Sequence, residues 1–259
     1  MRLATFNISS GRSPDADFDL DRYASAIAAL DADVLALQEV DRGQPRSAGA
    51  DLTAVAADAL GAPYRLFAPA LYGTPGGAWT PATGPARDGP AYGCALISRY
   101  PWRDLQVLHM PAVPLALPLW VPGHGVVIAR EEPRVAIAAR IDRPDAPALT
   151  VIATHLPFVP GWKGRQLRRL AKRVETRPNP LVLMGDLNLR GRTPSRITGF
   201  RSLVQLASYP SSRPLVQLDH VLLRGSPDLL GRVTATRAPA STISDHRPVM
   251  VDVIPVAGE

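Results

Sequence analysis

The chain has 259 residues, of which 46% are apolar and 20% charged, with a formal net charge of +6 and one cysteine, Cys94. That balance excludes a predominantly disordered chain, the lone thiol excludes an intramolecular disulfide or a multi-cysteine metal site, and no stretch approaches the ~20 apolar residues of a membrane-spanning helix. The basicity is a weak pointer to phosphate-bearing partners such as nucleic acid. Lys163 and Lys172 are the only lysines, and an Arg-, Ala- and Pro-rich composition follows from a GC-rich coding sequence as readily as from binding. No polar or repetitive tract divides the chain, so residues 1–259 are expected to form one domain. The first polar motif begins at Thr5, which leaves no room for a leader, and a cytoplasmic location is the expectation.

In chain order, residues 2–6 read as a short strand and 19–30 as an amphipathic helix with Leu20, Tyr23, Ala24, Ile27 and Leu30 at helical spacing. Residues 33–37 read as a buried strand and 51–60 as a second helix stopped by Gly61. Segments 64–68 and 91–98 are strand-like, with a long Gly- and Pro-rich loop expected over 69–90. Over 101–133, Pro111, Pro114, Pro118 and Pro122 exclude a long helix or a central strand and predict an irregular excursion. Regularity returns with strands at 135–141 and 149–153, a basic helix at 162–175, and strands at 181–184, 221–223, 233–236 and 249–254. Alternating strands and helices define an α/β protein.

Polar residues recur where the apolar strands end: Asn7, Glu39, His155, Asp186 with Asn188, Asp219, and Asp245 with His246. In open α/β sheets that rim is where ligands bind. A carboxylate such as Glu39 at the mouth of a buried strand is costly unless paired or metal-bound, and magnesium takes one or two such oxygens together with water and phosphate. Asp186 and Asn188 have period-two spacing and share a face, suited to holding and deprotonating a water; an Asx turn is the structural alternative. His155 alone is a weak signal. For Asp219 and Asp245-His246, salt bridges without chemistry are the competing reading.

Taken in order, Thr5-Phe6-Asn7, Leu37-Gln38-Glu39, Thr154-His155-Leu156, Gly185-Asp186-Leu187-Asn188, Leu218-Asp219-His220 and Ser244-Asp245-His246-Arg247-Pro248 resemble the endonuclease/exonuclease/phosphatase superfamily, the DNase I-like phosphohydrolases. The resemblance implies a four-layered α/β sandwich of two packed mixed sheets flanked by helices. It implies metal binding by Asn7, Glu39 and Asp245 with Mg2+ or Mn2+ as cofactor, and catalysis by His155, Asp186, Asn188, Asp219 and His246, with Asp219 orienting a protonated His246. Arg46, Lys163 and Arg165 are candidate substrate contacts, although an exposed loop arginine and a solvated helix face account for them equally well. Tyr92 to Pro101 resembles a further family segment in which Cys94 replaces an asparagine. Ser9 stands where abasic-site endonucleases of this fold carry an acid, and Leu218-Asp219-His220 differs from the inositol phosphatase segment. A metal-dependent phosphodiesterase or nuclease is therefore expected. A phosphomonoesterase acting on a small metabolite or lipid head group, or a non-catalytic phosphate-binding module, is the alternative.

Overall fold

The computed structural model describes residues 1–84, 87–112, 117–121, 125–129, 131–144 and 146–254. β1 (Arg2–Asn7) leads into α1 (Leu20–Ala28), entered where the Asp19 carboxylate accepts the Arg22 amide. β2 (Val34–Arg42) leads into α2 (Leu52–Leu60), capped by Asp51 and closed by Gly61 at φ +61°. β3 (Tyr64–Gly73), β4 (Trp79–Pro81) and β5 (Ala91–Ser98) follow, so part of the loop expected over 69–90 is an antiparallel hairpin. Pro69 sits at a register irregularity of the β3–β5 ladder, where a residue without an amide hydrogen is tolerated.

The irregular excursion expected over 101–133 also needs correction. β6 (Trp102–Met110) fills its first part, and β7 (Leu117–Val121) and β8 (Gly125–Ala129) form a separate two-stranded sheet. The prolines misdirect the reading because they begin only after β6, and Pro118 falls in a two-stranded sheet, in which each strand is an edge strand. Then come β9 (Arg134–Ile141), β10 (Leu149–His155), α3 (Trp162–Arg173), β11 (Leu181–Asp186) and α4 (Thr193–Thr198). β12 (Arg201–Ser202), β13 (Asp219–Arg224), α5 (Pro227–Leu230), β14 (Arg232–Arg237) and β15 (Val249–Ile254) complete the chain.

Two mixed sheets result, seven strands ordered β14-β15-β1-β2-β5-β3-β4 and six ordered β12-β13-β11-β10-β9-β6. Period-two alternation sends each central strand to two cores. On β2, Val34 and Ala36 face the space between the sheets, while Leu35 and Leu37 pack under Tyr23 and Ile27 of α1 and Leu52 of α2. On the other sheet, Val151 and Val182 join the inter-sheet core, whereas Ile152 and Leu183 pack under Leu167 and Leu170 of α3. Helix, sheet, sheet and helix make the four-layered α/β sandwich. Each buried Leu, Ile or Val contributes roughly 1.5–3 kcal/mol, which is why apolar runs, not polar motifs, fix this framework.

The same pairing fixes the rim. β1 runs parallel to β2 with Asn7 opposite Gln38, and β10 runs parallel to β11 with His155 opposite Asp186. β13 runs antiparallel to β11 and starts with Asp219 opposite Asp186. Parallel strands end, and antiparallel ones begin, at one edge of the sandwich.

Gly185 makes that register possible, since a Cβ there would stand 1.8 Å from the Thr154 carbonyl oxygen of the neighbouring strand. Overpacking against backbone leaves no side chain to yield, so Gly185→Ala is expected to cost about 3 kcal/mol, the upper end for small-to-large core changes. Urea denaturation followed by circular dichroism checks this, and an unaltered midpoint would contradict it.

Candidate active site

Glu39 follows the buried run of β2 at φ +56°, where the β2–β5 register slips between Leu37 and Val40. A bulge of this kind re-aims a side chain, and the left-handed backbone of a glutamate is strain of the sort that concentrates at functional positions. The Asn7 amide nitrogen donates to Glu39 Oε1 and to Asp186 Oδ2, both at 3.0 Å, so one carboxamide spans the two sheets. Its oxygen accepts the Ser9 amide at 3.1 Å. Ser244 donates to the Asn7 carbonyl oxygen at 2.6 Å and accepts the His246 amide at 3.0 Å, which fastens the 244–246 turn to the end of β1.

Asp186 is the centre of the arrangement. Its Oδ1 accepts the Asn188 amide at 2.9 Å, the Asx turn that stood as the structural alternative, with Asn188 at φ +52°. Its Oδ2 lies 3.5 Å from His155 Nε2 and 3.8 Å from His246 Nε2. His246 Nδ1 is 2.8 Å from Asp219 Oδ2, and the Tyr209 ring lies over the imidazole at 4.9 Å between centroids. The Asn188 carboxamide donates to the Leu156 carbonyl oxygen at 2.9 Å.

Burial and neighbouring charges together set the protonation states. It would lower the His246 pKa on its own, but Asp219, with help from Asp186 and Asp245, overrides it and raises the imidazole to about 10. Burial pushes His155 well below its ordinary value, and the positive charges of Arg134 and His246 push the same way. His155 is therefore neutral and His246 cationic at pH 7. Asp186 is raised, by burial first and the Asp219 charge second, while His246 and the Asn7 amide oppose the rise. Asp186 and the His246 imidazolium, 3.8 Å apart, each alter the other's affinity for protons.

A cleft of about 500 Å³ is lined by Glu39, His155, Asp186, Asn188, Asp245 and His246, and Asn7 and Asp219 are hydrogen-bonded just behind that wall. Although Asp186 is only 1% exposed, it faces this opening. A larger depression of about 580 Å³, bounded by loop 9–17, shares Asp245 with the cleft. It contains none of the buried polar network, so the smaller cleft is the candidate chemical centre.

The candidate substrate contacts fare differently. Arg46 is held bidentately by Asp41 at 2.7 and 2.8 Å and lies over the Tyr92 ring, so its guanidinium is committed to an ion pair and stands outside the cleft wall. Arg165 is exposed on the first turn of α3 and Lys163 is half-buried beside it; neither lines the cleft. Sequence reasoning missed Arg134, Glu131, Glu132, Tyr92, Phe158 and Tyr209, all of which do. Arg134 carried one signal, a cation standing directly before the apolar run from Val135 to Ala139.

The donors fit a hard divalent cation. Glu39 and Asp245 offer half-buried carboxylate oxygens across one cleft, and Asp186, Asp219 and His246 form a buried group with donor atoms within 4.8 Å of one another. No thiol enters either set, which suits magnesium or manganese rather than a soft metal.

A two-sheet α/β sandwich with carboxylates and imidazoles gathered at one rim has the build of a phosphoester hydrolase. The sequence profile of the Endonuclease/Exonuclease/phosphatase family matches residues 4–246, and the chain belongs to that family. A sequence search of curated proteins returned no match. Among solved structures, an endonuclease/exonuclease/phosphatase from Beutenbergia cavernae is similar at 24% identity and a TM-score of 0.68, over 99% of this chain and 72% of that one. A sphingomyelinase C from Streptomyces griseocarneus is similar at 18% identity and 0.58, over 97% and 98%. A mannosyl-6-phosphatase from Bacteroides thetaiotaomicron is similar at 13% and 0.60, over 98% and 99%. At these identities the likeness shows the fold.

The Asp219–His246 pair carries a test. A folded-state pKa above 6.5 stabilises the fold in full below about pH 6.5 and ceases to do so as pH rises through about 10. Asp219→Asn removes the strongest charge opposing burial, so the His246 titration is expected to fall far below that of the parent. NMR of histidine-labelled protein in EDTA reads both midpoints; equal midpoints would remove Asp219 as the cause.

Proposed function

We propose that this chain is a magnesium- or manganese-dependent phosphodiesterase acting by in-line attack of water, with 1–259 as one catalytic unit. The observation that carries the reading is the environment of Asp186 Oδ2, a buried carboxylate at a cleft, flanked by an amide and two imidazole nitrogens. Glu39 and Asp245 would hold the metal, with Asn7 fixing the spacing of Glu39 from Asp186. Bound there, the metal supplies neutralisation of charge on the phosphoryl oxygens. The Asp219–His246 group is the less suitable metal seat, since an imidazolium has no lone pair to give.

The chain's own residues then divide the proton work. Asp186, whose raised pKa brings it nearer to neutrality, holds the attacking water and accepts its proton. His246 is a cation beside the same oxygen and donates to the phosphoryl or leaving-group oxygen, while Asp219 keeps it charged. His155 is the neutral donor to a phosphoryl oxygen, and Asn188 fixes the turn that aims Asp186.

Carboxylates dominate the wall. Glu39, Glu131, Glu132 and Asp245 line the cleft together with a single described guanidinium, Arg134. A polyanionic nucleic-acid strand gains little there, because its phosphates call for a track of free cations. The lining favours a small phosphodiester or a lipid head group, with Tyr92, Phe158 and Tyr209 offering apolar contact.

Metal-dependent hydrolysis of bis-p-nitrophenyl phosphate, compared with the mono-ester and with single-stranded DNA, tests the assignment. Cleavage of the diester that is abolished by EDTA, and a fall of about 10²–10⁴-fold in Asp186→Asn with circular dichroism unchanged, is the expected result. Faster cleavage of the mono-ester would establish a phosphomonoesterase. Undiminished activity in Asp186→Asn would remove the mechanism.

A further inference from the structure

Arg134 opens β9, is 7% exposed, and belongs to none of the motifs read from the sequence. Its Nη1 lies 3.0 Å from His155 Nδ1, and its Nη2 donates to Glu131 Oε1 in a buried ion pair. A guanidinium has donors only and keeps its charge, so this contact has one chemical sense: His155 Nδ1 accepts. The single proton of the neutral ring then sits on Nε2, the nitrogen 3.5 Å from Asp186 Oδ2 on the cleft side. The Asn188 amide nitrogen, 3.3 Å from Nε2, cannot donate to it and donates to the Leu156 carbonyl oxygen instead.

We propose that Arg134, anchored by Glu131, is a positioning residue that fixes His155 as a neutral Nε2–H donor facing the cleft. Two things follow. With Nδ1 occupied and Nε2 protonated, His155 has no lone pair left to receive a proton, so it serves only as a hydrogen-bond donor and the proton of the attacking water goes to Asp186. The tautomer is also set by a cation, where a carboxylate behind a histidine would select Nδ1–H and leave Nε2 as acceptor. Arg134 thereby determines the sign of the group presented to the phosphoryl oxygen. The catalytic consequence rests on the phosphodiesterase reading above; the tautomer assignment does not.

The test is nitrogen-15 NMR of histidine-labelled full-length protein at pH 7, with His155 assigned by loss of its signals in His155→Gln. An unprotonated Nδ1 and a protonated Nε2 are expected. A protonated Nδ1, or protons on both nitrogens, would overturn the proposal. Arg134→Met combined with Glu131→Gln removes both partners, so no uncompensated buried charge is left. In that variant the Nε2–H signature should be lost and kcat should fall about 10–100-fold with little change in KM. Arg134→Lys, which retains a cationic donor, should restore part of both. An altered spectrum with unchanged kcat would overturn the positioning role. If the double variant does not fold, the parent spectrum and Arg134→Lys decide. An Nε2–H signature in a protein that hydrolyses no phosphoester would uphold the tautomer assignment and remove the functional reading instead.

Discussion

The Asn7 carboxamide is the tie on which the rest of the site depends. Asn7 belongs to the seven-stranded sheet, Asp186 to the six-stranded one, and the hydrogen bond between them joins residues 179 positions apart in the chain. Its second hydrogen reaches Glu39, so one planar group sets the separation of two carboxylates that would otherwise repel. Packing of the inter-sheet core brings the sheets to the right distance, and the carboxamide converts that distance into chemistry. Ser244, bonded to the Asn7 carbonyl oxygen, brings the Asp245-His246 turn to the same point.

Around that tie the fold exploits the weak screening of a buried site. Near a protein surface, unit charges 4 Å apart interact by about 4 kcal/mol, several times more than in bulk water, so Asp219, with Asp186 and Asp245 behind it, keeps His246 charged against burial. Arg134 acts on His155 in the opposite direction. Two histidines within 4 Å of one carboxylate oxygen are thereby held in different states, one a cation and one a neutral donor. Identical side chains in one cleft thus differ in charge because of what stands behind them.

Much of this was legible in the sequence for a physical reason. Apolar strands set the fold through period-two and helical spacing, and the residue that ends such a run at a sheet rim is constrained by local chain direction alone. Asn7, His155 and Asp186 end such runs, Glu39 follows one, and Asp219 and Asp245-His246 stand just before one, so local pattern together with family resemblance singled them out. What escaped depended on contacts between distant segments or on chain reversal. Arg46 read as either a candidate phosphate contact or an exposed loop arginine because nothing local shows that it curls back onto Asp41. Arg134 meets His155 across an antiparallel pair, a relation invisible along the chain. β6 was hidden by the prolines that follow it, and Tyr209 reaches His246 only through folding of the 203–218 segment.

The central claim is that the rim is built around one divalent ion held by carboxylates of the β1–β2 end and the 244–246 turn, with the Asp186, Asp219 and His246 group left to handle protons. Anomalous scattering from a manganese-soaked crystal locates the ion directly. The account predicts a peak between Glu39 and Asp245 with the Asp219–His246 hydrogen bond intact. A peak seated on Asp219 and His246, or none in the cleft, would contradict it.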